Sequence, residues 1–299
     1  MGPRLLAGLA ALFVFAPGPD RLGGSKALAG EIETQIPDDA RYVKASVVHS
    51  LEETFVRATD KQLGPALAQV VKRVLVWWIN PRRDLRRDDV IEVVYEARDD
   101  AEPVVYAVWM RSQKRRRTLS AVRYKADDAR FFRYYRPDGY EIEKRLRRSP
   151  VRNYEQITSL LGDGRRHQGI DFKAPIGTPV RAPFNGVVRR RNWSTRRNGL
   201  CLELSDPRTG RRALMLHLNS IYRRIRPGVR VKAGQKIATL GNTGRSSAPH
   251  LHYQLQRANG RILNPLRVHR TWRKRLKPEQ AKKMRQVLAR FAQMRTGST

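Results

Sequence analysis

The chain has 299 residues, 40 % of them hydrophobic, with 61 Lys plus Arg against 27 Asp plus Glu. That is enough chain for two domains with separate cores, and enough apolar content to exclude a disordered polypeptide. A formal charge of +34 and a pI near 11.4 leave the fold open and select partners: nucleic acid, an anionic membrane face, or an acidic polymer such as cell wall.

The basic residues come as scattered doublets and triplets, among them Arg115-Arg116-Arg117, Arg189-Arg190-Arg191 and Arg223-Arg224. They form no single stripe and no known nucleic-acid module, so specific nucleic-acid binding is not expected. A solvated basic face explains them as well as a selected anionic partner does. The single cysteine, Cys201, excludes an internal disulfide. Inside Leu200-Cys201-Leu202-Glu203-Leu204 it reads as a small buried hydrophobe rather than a nucleophile.

At the N-terminus Arg4 precedes an apolar run from Leu5 to Ala16, and a small-x-small site follows at Ala27-Leu28-Ala29. The run is short for a bilayer span and has the length of a signal-peptide core, which predicts an export signal over 1–29 and no stable membrane span. An uncleaved anchor is the alternative. A polar linker follows over 30–42. From Val43 to Val76 the apolar positions Leu51, Phe55, Leu63, Leu67, Val70, Val71, Val74 and Leu75 recur at helical spacing. Gly64-Pro65 separates two helices, and Asn80-Pro81 stops the second. Strands are predicted over 88–96, 104–110, 119–124 and 131–135, the last entering a turn at Pro137-Asp138-Gly139. Trp77 and Trp78 read as core aromatics ahead of a ligand-stacking pair. The expectation for 43–150 is a smaller α+β region.

Past Ser149-Pro150 come short apolar runs punctuated by Gly, Pro and Asn: 186–188, 200–204, 213–218, 237–240 and 251–255. Their even spacing predicts a mainly β domain, an antiparallel sheet, over 151–268. Over 269–299 a basic tail leads to a C-terminal helix. Pro278 stands in its first turn, and Ala281, Met284, Val287, Leu288, Phe291 and Met294 form one apolar face. Such a face packs on its own protein more often than on a membrane.

The chemistry concentrates in that β domain. Of six histidines, four fall with one aspartate in three stretches: His167-Gln168-Gly169-Ile170-Asp171, Leu216-His217-Leu218, and Pro249-His250-Leu251-His252-Tyr253. His250 and His252 are i and i+2 on a predicted strand, so both point to one face; one can hold a metal while its neighbour faces the reacting group. His167 and Asp171 flank Gly169, whose conformational freedom would let both donors reach one ion. A set of this kind holds zinc with a coordination position open for water, the pattern of a hydrolase. Taken singly, each of these residues is more often structural or solvated, and His49 and His269 stay in that class.

His167-Gln168-Gly169-Ile170-Asp171-Phe172-Lys173-Ala174-Pro175, Gly177-Thr178-Pro179-Val180, Gly241-Asn242-Thr243-Gly244 and His250-Leu251-His252-Tyr253 resemble the LytM/lysostaphin-type zinc metallopeptidases of family M23 over roughly 155–268. The resemblance implies one zinc ion held by His167, Asp171 and His252, with His217 and His250 as catalytic histidines. It also implies an open β-sheet groove for an extended peptide, and hydrolysis of peptide bonds in peptidoglycan stems outside the cytoplasm, in a Gram-negative periplasm. The segments 85–96 and 134–139 are similar to the N-terminal regions of Gram-negative murein DD-endopeptidases. Those regions resemble LysM-like or OapA-like wall-binding folds and in some relatives cover the groove. Two departures touch the groove: Ser159–Arg166 is short, and Met215 stands where relatives often carry Tyr. The competing reading is a non-catalytic LytM-like activator of a cell-wall amidase. Degenerate domains of that class have typically lost metal ligands, and all five site residues are present here. A basic surface resting on the anionic wall is a further expectation from charge.

Overall fold

Val43 and Ala45 are buried between exposed Lys44 and Ser46, and that alternation gives a strand, β1 (Arg41–Ser46), where helical spacing was expected from Val43 onward. The computed structural model describes Pro37, residues 39–164 and residues 166–297. The expected export signal over 1–29 lies outside the described residues. Helix α1 (Leu51–Ala58) begins at Ser50, whose Oγ accepts from Glu53 N at 3.1 Å. Asp60 Oδ1 accepts from Gln62 N and Leu63 N, both at 2.7 Å, at the start of α2 (Leu63–Leu75). The break between the helices is therefore at 59–62, and Gly64-Pro65 sits in the first turn of α2. Pro65 loses nothing there, because that N–H has no helical partner. Gly64 is needed for space: a Cβ would meet Val56 Cα at 2.5 Å. Asn80-Pro81 does not stop α2. Asn80 Oδ1 caps the one-turn helix α3 (Pro81–Asp84) by accepting from Arg82 N at 3.1 Å.

Strands β2 (Val90–Glu96), β3 (Val104–Ser112), β4 (Arg117–Tyr124) and β5 (Arg133–Tyr135) follow. With β1 they form an antiparallel five-stranded sheet in sequential order. β2 is buried along its length up to Glu96, so both faces of the sheet are covered. Val93, Val105, Val108 and Met110 share a core with Phe55, Leu67, Val71 and Val74 of the two helices. Trp77 belongs to that core and Trp78 packs partly against it.

After β6 (Arg145–Leu146) the second sheet begins: β7 (Gln156–Ser159), β8 (Ile170–Lys173), β9 (Pro179–Arg181), β10 (Gly186–Arg191), a one-turn helix α4 (Thr195–Asn198), β11 (Leu200–Ser205), β12 (Arg212–Ile221), β13 (Arg230–Val231), β14 (Lys236–Leu240), β15 (His250–Gln256) and β16 (Ile262–Leu263). The main path runs β13-β10-β11-β12-β15-β8-β7, with β14 bridging β12 and β9, and β16 on β15. Phe172, Leu202, Leu204, Met215, Leu251, Tyr253 and Leu255 fill its core. Met215 is fully buried there and faces away from the groove described below. Cys201 is likewise fully buried, with its thiol on Trp193 O at 3.3 Å. This is the mainly β, antiparallel architecture that the apolar runs predict, beside a smaller α+β layer and a C-terminal helix.

After α5 (Pro265–Val268), β17 (Thr271–Trp272) pairs antiparallel with β6. Helix α6 (Pro278–Gln293) then returns to the five-stranded sheet. Its Ala281, Met284, Val287 and Phe291 pack on Val94, Ala107, Trp109 and Val122, the face opposite α1 and α2. Each large side chain buried there contributes roughly 1.5–3 kcal/mol. Polar contacts join the two sheets. Arg133 lies between Glu141 at 3.6 Å and Glu143 at 3.8 Å and donates to Tyr154 O. Glu143 accepts from Ile157 N at 3.0 Å, and burial pushes its carboxyl up to about 7 against the pull of Arg133. Among the described residues no helix is long and apolar enough to cross a membrane.

Candidate active site

Strand register builds the centre of the site. In the β15–β8 ladder His252 stands directly opposite Asp171, so their side chains leave the sheet on one face. His250, two residues earlier on β15, shares that face. His167 enters from the turn before β8. That turn is closed by Gly162 N donating to His167 O at 2.8 Å and His167 N donating to Asp163 O at 3.2 Å. From the N-terminal layer, Lys72 pairs with Asp163 at 2.6 Å and Arg82 donates to Gly164 O at 2.7 Å, so α2 and α3 hold the same turn.

His167 Nδ1 lies 3.0 Å from the Leu160 carbonyl and 3.0 Å from Ser159 Oγ. A carbonyl only accepts, so Nδ1 carries the proton and Nε2 turns its lone pair inward. Three donor atoms then meet. His167 Nε2 is 3.1 Å from Asp171 Oδ1 and 3.0 Å from His252 Nδ1, and His252 Nδ1 is 2.9 Å from Asp171 Oδ1. Tetrahedral zinc, with bonds of about 2.0–2.2 Å, spaces its donors by roughly 3.3 Å. Two imidazole nitrogens and one carboxylate oxygen at nearly that spacing fit such an ion. Burial opposes ionisation of Asp171, but the two imidazoles that face it, His167 and His252, overcome it and hold the carboxyl well below the usual carboxylate range. Burial also works against the His167 imidazolium, and the Asp171 carboxylate outweighs it and raises the pKa.

Gly169 has a different role from the conformational one expected of it. It is absent from the positive-φ glycines, so backbone freedom is not what it supplies. A Cβ at this position would stand 2.9 Å from His252 Cε1 and press on the Tyr253 carbonyl. Glycine is required because two strands and an imidazole converge on the space a side chain would fill.

His217 arrives by a route that alternation alone does not give. Leu214 and Leu216 line the groove face of β12, and a regular strand would turn His217 away from it. His217 instead adopts φ 61°, at a register shift where β12 runs against Leu200 and Leu202 of β11. The bulge swings its ring back to the groove. A left-handed β-strand residue costs about 1–2 kcal/mol, and such outliers concentrate at functional sites. Its Nδ1 donates to Thr243 O at 2.9 Å. Thr243 Oγ1 accepts from Leu200 N at 2.9 Å and donates to Leu218 O at 2.6 Å, which anchors its side chain between β11 and β12. His250 Nδ1 lies 2.8 Å from Ala248 O and 3.2 Å from Ser246 Oγ. Both histidines thus keep Nε2 free, with ring centroids 4.8 Å apart. Burial lowers the His217 pKa, with some compensation from the bond to Thr243.

Four of the five sequence-predicted residues thus meet in a chain of ring contacts around Asp171: His167 to His252 at 4.8 Å, His252 to His217 at 6.5 Å, His217 to His250 at 4.8 Å. A cleft of about 620 Å3 opens over His167, His217 and His252, and every residue lining it falls between Arg166 and Gln254. None of the described residues of the N-terminal layer reaches it. A separate cavity of about 190 Å3 at the junction of the two sheets holds none of the five. The supporting groups were not singled out from sequence: Ser159, Leu160 O, Ala248 O and the carbonyl of Thr243. Only Thr243 carried a signal, as part of Gly241-Asn242-Thr243-Gly244. Of the histidines without an assigned role, His49 is exposed, and His269 is buried and accepts from Tyr253 OH at 2.7 Å.

Residues 165–265 match the family described as Peptidase family M23. These residues are an M23 peptidase domain. A peptidoglycan DD-endopeptidase of Vibrio cholerae, ShyA, is 33 % identical over 221 residues, 69 % of this chain and 49 % of that protein. An uncharacterized metalloprotease of Haemophilus influenzae is 34 % identical over 145 residues, 46 % of this chain and 30 % of that protein. The M23 chain therefore spans about half or less of the length of these relatives. Among solved structures, Helicobacter pylori Csd3 aligns over 85 % of this chain and 69 % of its own at 22 % identity, with a TM-score of 0.42. The catalytic domain of lysostaphin from Staphylococcus simulans aligns over 44 % of this chain and 93 % of its own at 32 % identity, with a TM-score of 0.33.

Proposed function

We propose that this chain is an exported zinc endopeptidase that hydrolyses peptide cross-links of peptidoglycan, acting in the periplasm on the cell wall. One observation carries the reading: two histidines with free Nε2 atoms stand beside a His-Asp-His donor cluster at the floor of an open cleft. The M23 match supports it, as do the relatives named peptidoglycan DD-endopeptidases.

His167, Asp171 and His252 would hold the zinc ion. When bound, zinc supplies Lewis-acid polarisation of a peptide carbonyl and lowers the pKa of water. His217 and His250 manage protons at Nε2. One accepts the proton released by the attacking water, and the other donates toward the developing oxyanion, a contribution of a few kcal/mol. The carbonyls of Thr243 and Ala248 hold Nδ1–H on each ring and so fix the tautomer this work requires. Burial keeps His217 neutral at neutral pH, the form that accepts a proton. Leu214 and Leu216 give the cleft an apolar floor against which an extended peptide excludes water.

For the residues over 43–150 we propose a wall-binding role; that no described residue of that layer lines the cleft supports this over a groove-covering one. The deciding assay incubates the full chain with muropeptide dimers, with and without chelator. Chelator-sensitive cleavage products are expected. Their absence from the zinc-loaded chain would transfer the assignment to a non-catalytic activator of an amidase.

A further inference from the structure

Three arginines line the catalytic cleft, and no acidic side chain does. They are Arg166, Arg197 and Arg245. All three are exposed, and among the described residues none has an ion pair or a side-chain hydrogen bond. Elsewhere many cations are matched: Arg73 with Glu102, Arg190 with Glu203, Arg295 with Glu92. Inside the cleft the one nearby carboxylate, Asp171, is held by His167 and His252. The charge of the cleft is therefore unanswered by the protein itself.

Topology places these arginines on two sides of the histidines. Arg166 directly precedes His167, on the β8 side. Arg197 belongs to α4, ahead of β11, and Arg245 lies in the loop between β14 and β15. Arg245 N donates to Arg197 O at 3.0 Å, so these two form one unit beside Thr243 and His217. In the sheet, β12 and β15 run between β11 and β8, and they carry His217, His250 and His252. The Arg197/Arg245 unit and Arg166 thus bracket the reacting centre. Backbone conformation supports fixed placement: Arg166 has φ 60° and Ser194, the cap of α4, has φ 51°. Gly199 and Gly244 pack backbone to backbone, so closely that no Cβ fits at either, which joins the Arg197 and Arg245 loops.

We propose that Arg166 and the Arg197/Arg245 unit are carboxylate subsites, and that the chain selects acidic peptides bearing free carboxylates on both sides of the scissile bond. This rests on the peptidase reading above and names its substrate class. Guanidinium binds carboxylate through two parallel N–H···O bonds, a planar match that lysine does not make. A cleft with walls of low dielectric also concentrates the field of its cations on an incoming anion. A neutral peptide, such as a run of glycines, offers these arginines nothing.

The test separates binding from cleavage. The zinc-loaded full chain is titrated calorimetrically with two cross-linked peptides, identical except that one has free carboxylates and the other has them amidated. In both, an N-methyl amide replaces the scissile bond. The free acid is expected to bind at least tenfold tighter, a preference that shrinks as salt rises. In Arg197→Gln/Arg245→Gln the gap narrows, and in Arg166→Gln/Arg197→Gln/Arg245→Gln the two affinities converge. Equal binding of both peptides by the wild-type chain overturns the proposal, and so does a preference that survives undiminished in the triple variant. The cleavable versions of the same peptides test the peptidase reading. Selective binding without hydrolysis would remove that reading and leave the subsites standing, and hydrolysis without selectivity would do the reverse.

Discussion

Alanine at position 169 is the smallest change that reaches the His-Asp-His cluster without touching a donor. The added Cβ would stand 2.9 Å from His252 Cε1. The Tyr253 carbonyl oxygen is closer still, at 2.4 Å, and ordinary contact begins at 3.4 Å, so the two strands must part by the 1.0 Å between these distances. His252 and Asp171 face each other across that seam, and their donor atoms are 2.9 Å apart. The shift exceeds the tolerance of a preorganised site, about 0.5 Å. Overpacking of this kind costs about 2 kcal/mol, a fall in Tm of roughly 4–8 °C for a domain of this size. Displacement of a metal-ligating ring typically weakens metal binding by about 10- to 100-fold. Competition with a chromophoric chelator measures the second effect and scanning calorimetry the first. A Gly169→Ala chain that binds zinc as tightly as wild type, with an unchanged Tm, would refute the close-approach account.

His217→Ala is expected to retain zinc and lose activity by about 10²- to 10⁴-fold, whereas His252→Ala loses both; equal zinc content in wild type and His252→Ala, by atomic absorption, would remove His252 from the ligand set. Stability also has an acid limb at His269. Burial pushes its pKa down from 6.5 to about 4, so the unfolded chain binds the proton first. The contribution is full above pH 6.5 and is lost as pH falls toward 4, about 3 kcal/mol in all. Urea midpoints across that window should fall in wild type and flatten in His269→Gln. Met284→Ala opens a cavity between α6 and the five-stranded sheet, and should lower unfolding free energy by roughly 2–5 kcal/mol while leaving zinc affinity unchanged in the same chelator titration.

The site was legible in residue type and spacing because its chemistry needs donors that are rare in this chain. His250 and His252 sit on one strand face, and alternation alone predicts that they share a direction. Position was harder to read. His217 breaks alternation by adopting a left-handed conformation that Leu216-His217-Leu218 does not announce: histidine is enriched there among non-glycine residues, yet the conformation stays uncommon for it. Gly169 was recognised as necessary for the wrong reason, because a glycine required for space and one required for φ look alike in sequence. In the N-terminal layer β1 is hard to read from sequence, since Val43, Val47 and Leu51 satisfy a period of four as readily as Val43, Ala45 and Val47 satisfy a period of two. The break between α1 and α2 was drawn at Gly64-Pro65, although proline is at ease in a first turn. The three cleft arginines were invisible among so many others; only the fold distinguishes a cation that faces a groove from one that faces solvent.

The pairing of β6 with β17 and the return of α6 have a consequence for how the chain is made. Val94, Ala107, Trp109 and Val122 lie on strands complete by Tyr135, yet their cover does not begin until Pro278. Between these points lie 142 residues. At about 5–20 residues per second of synthesis, the sheet face waits roughly 7–28 s for its helix. Through that interval the peptidase sheet can form, while an aromatic, β-branched surface stays open to whatever binds nascent chains. The segment that closes the first layer is made after the peptidase sheet, so a chain halted between the two would carry a finished cleft on an unfinished support.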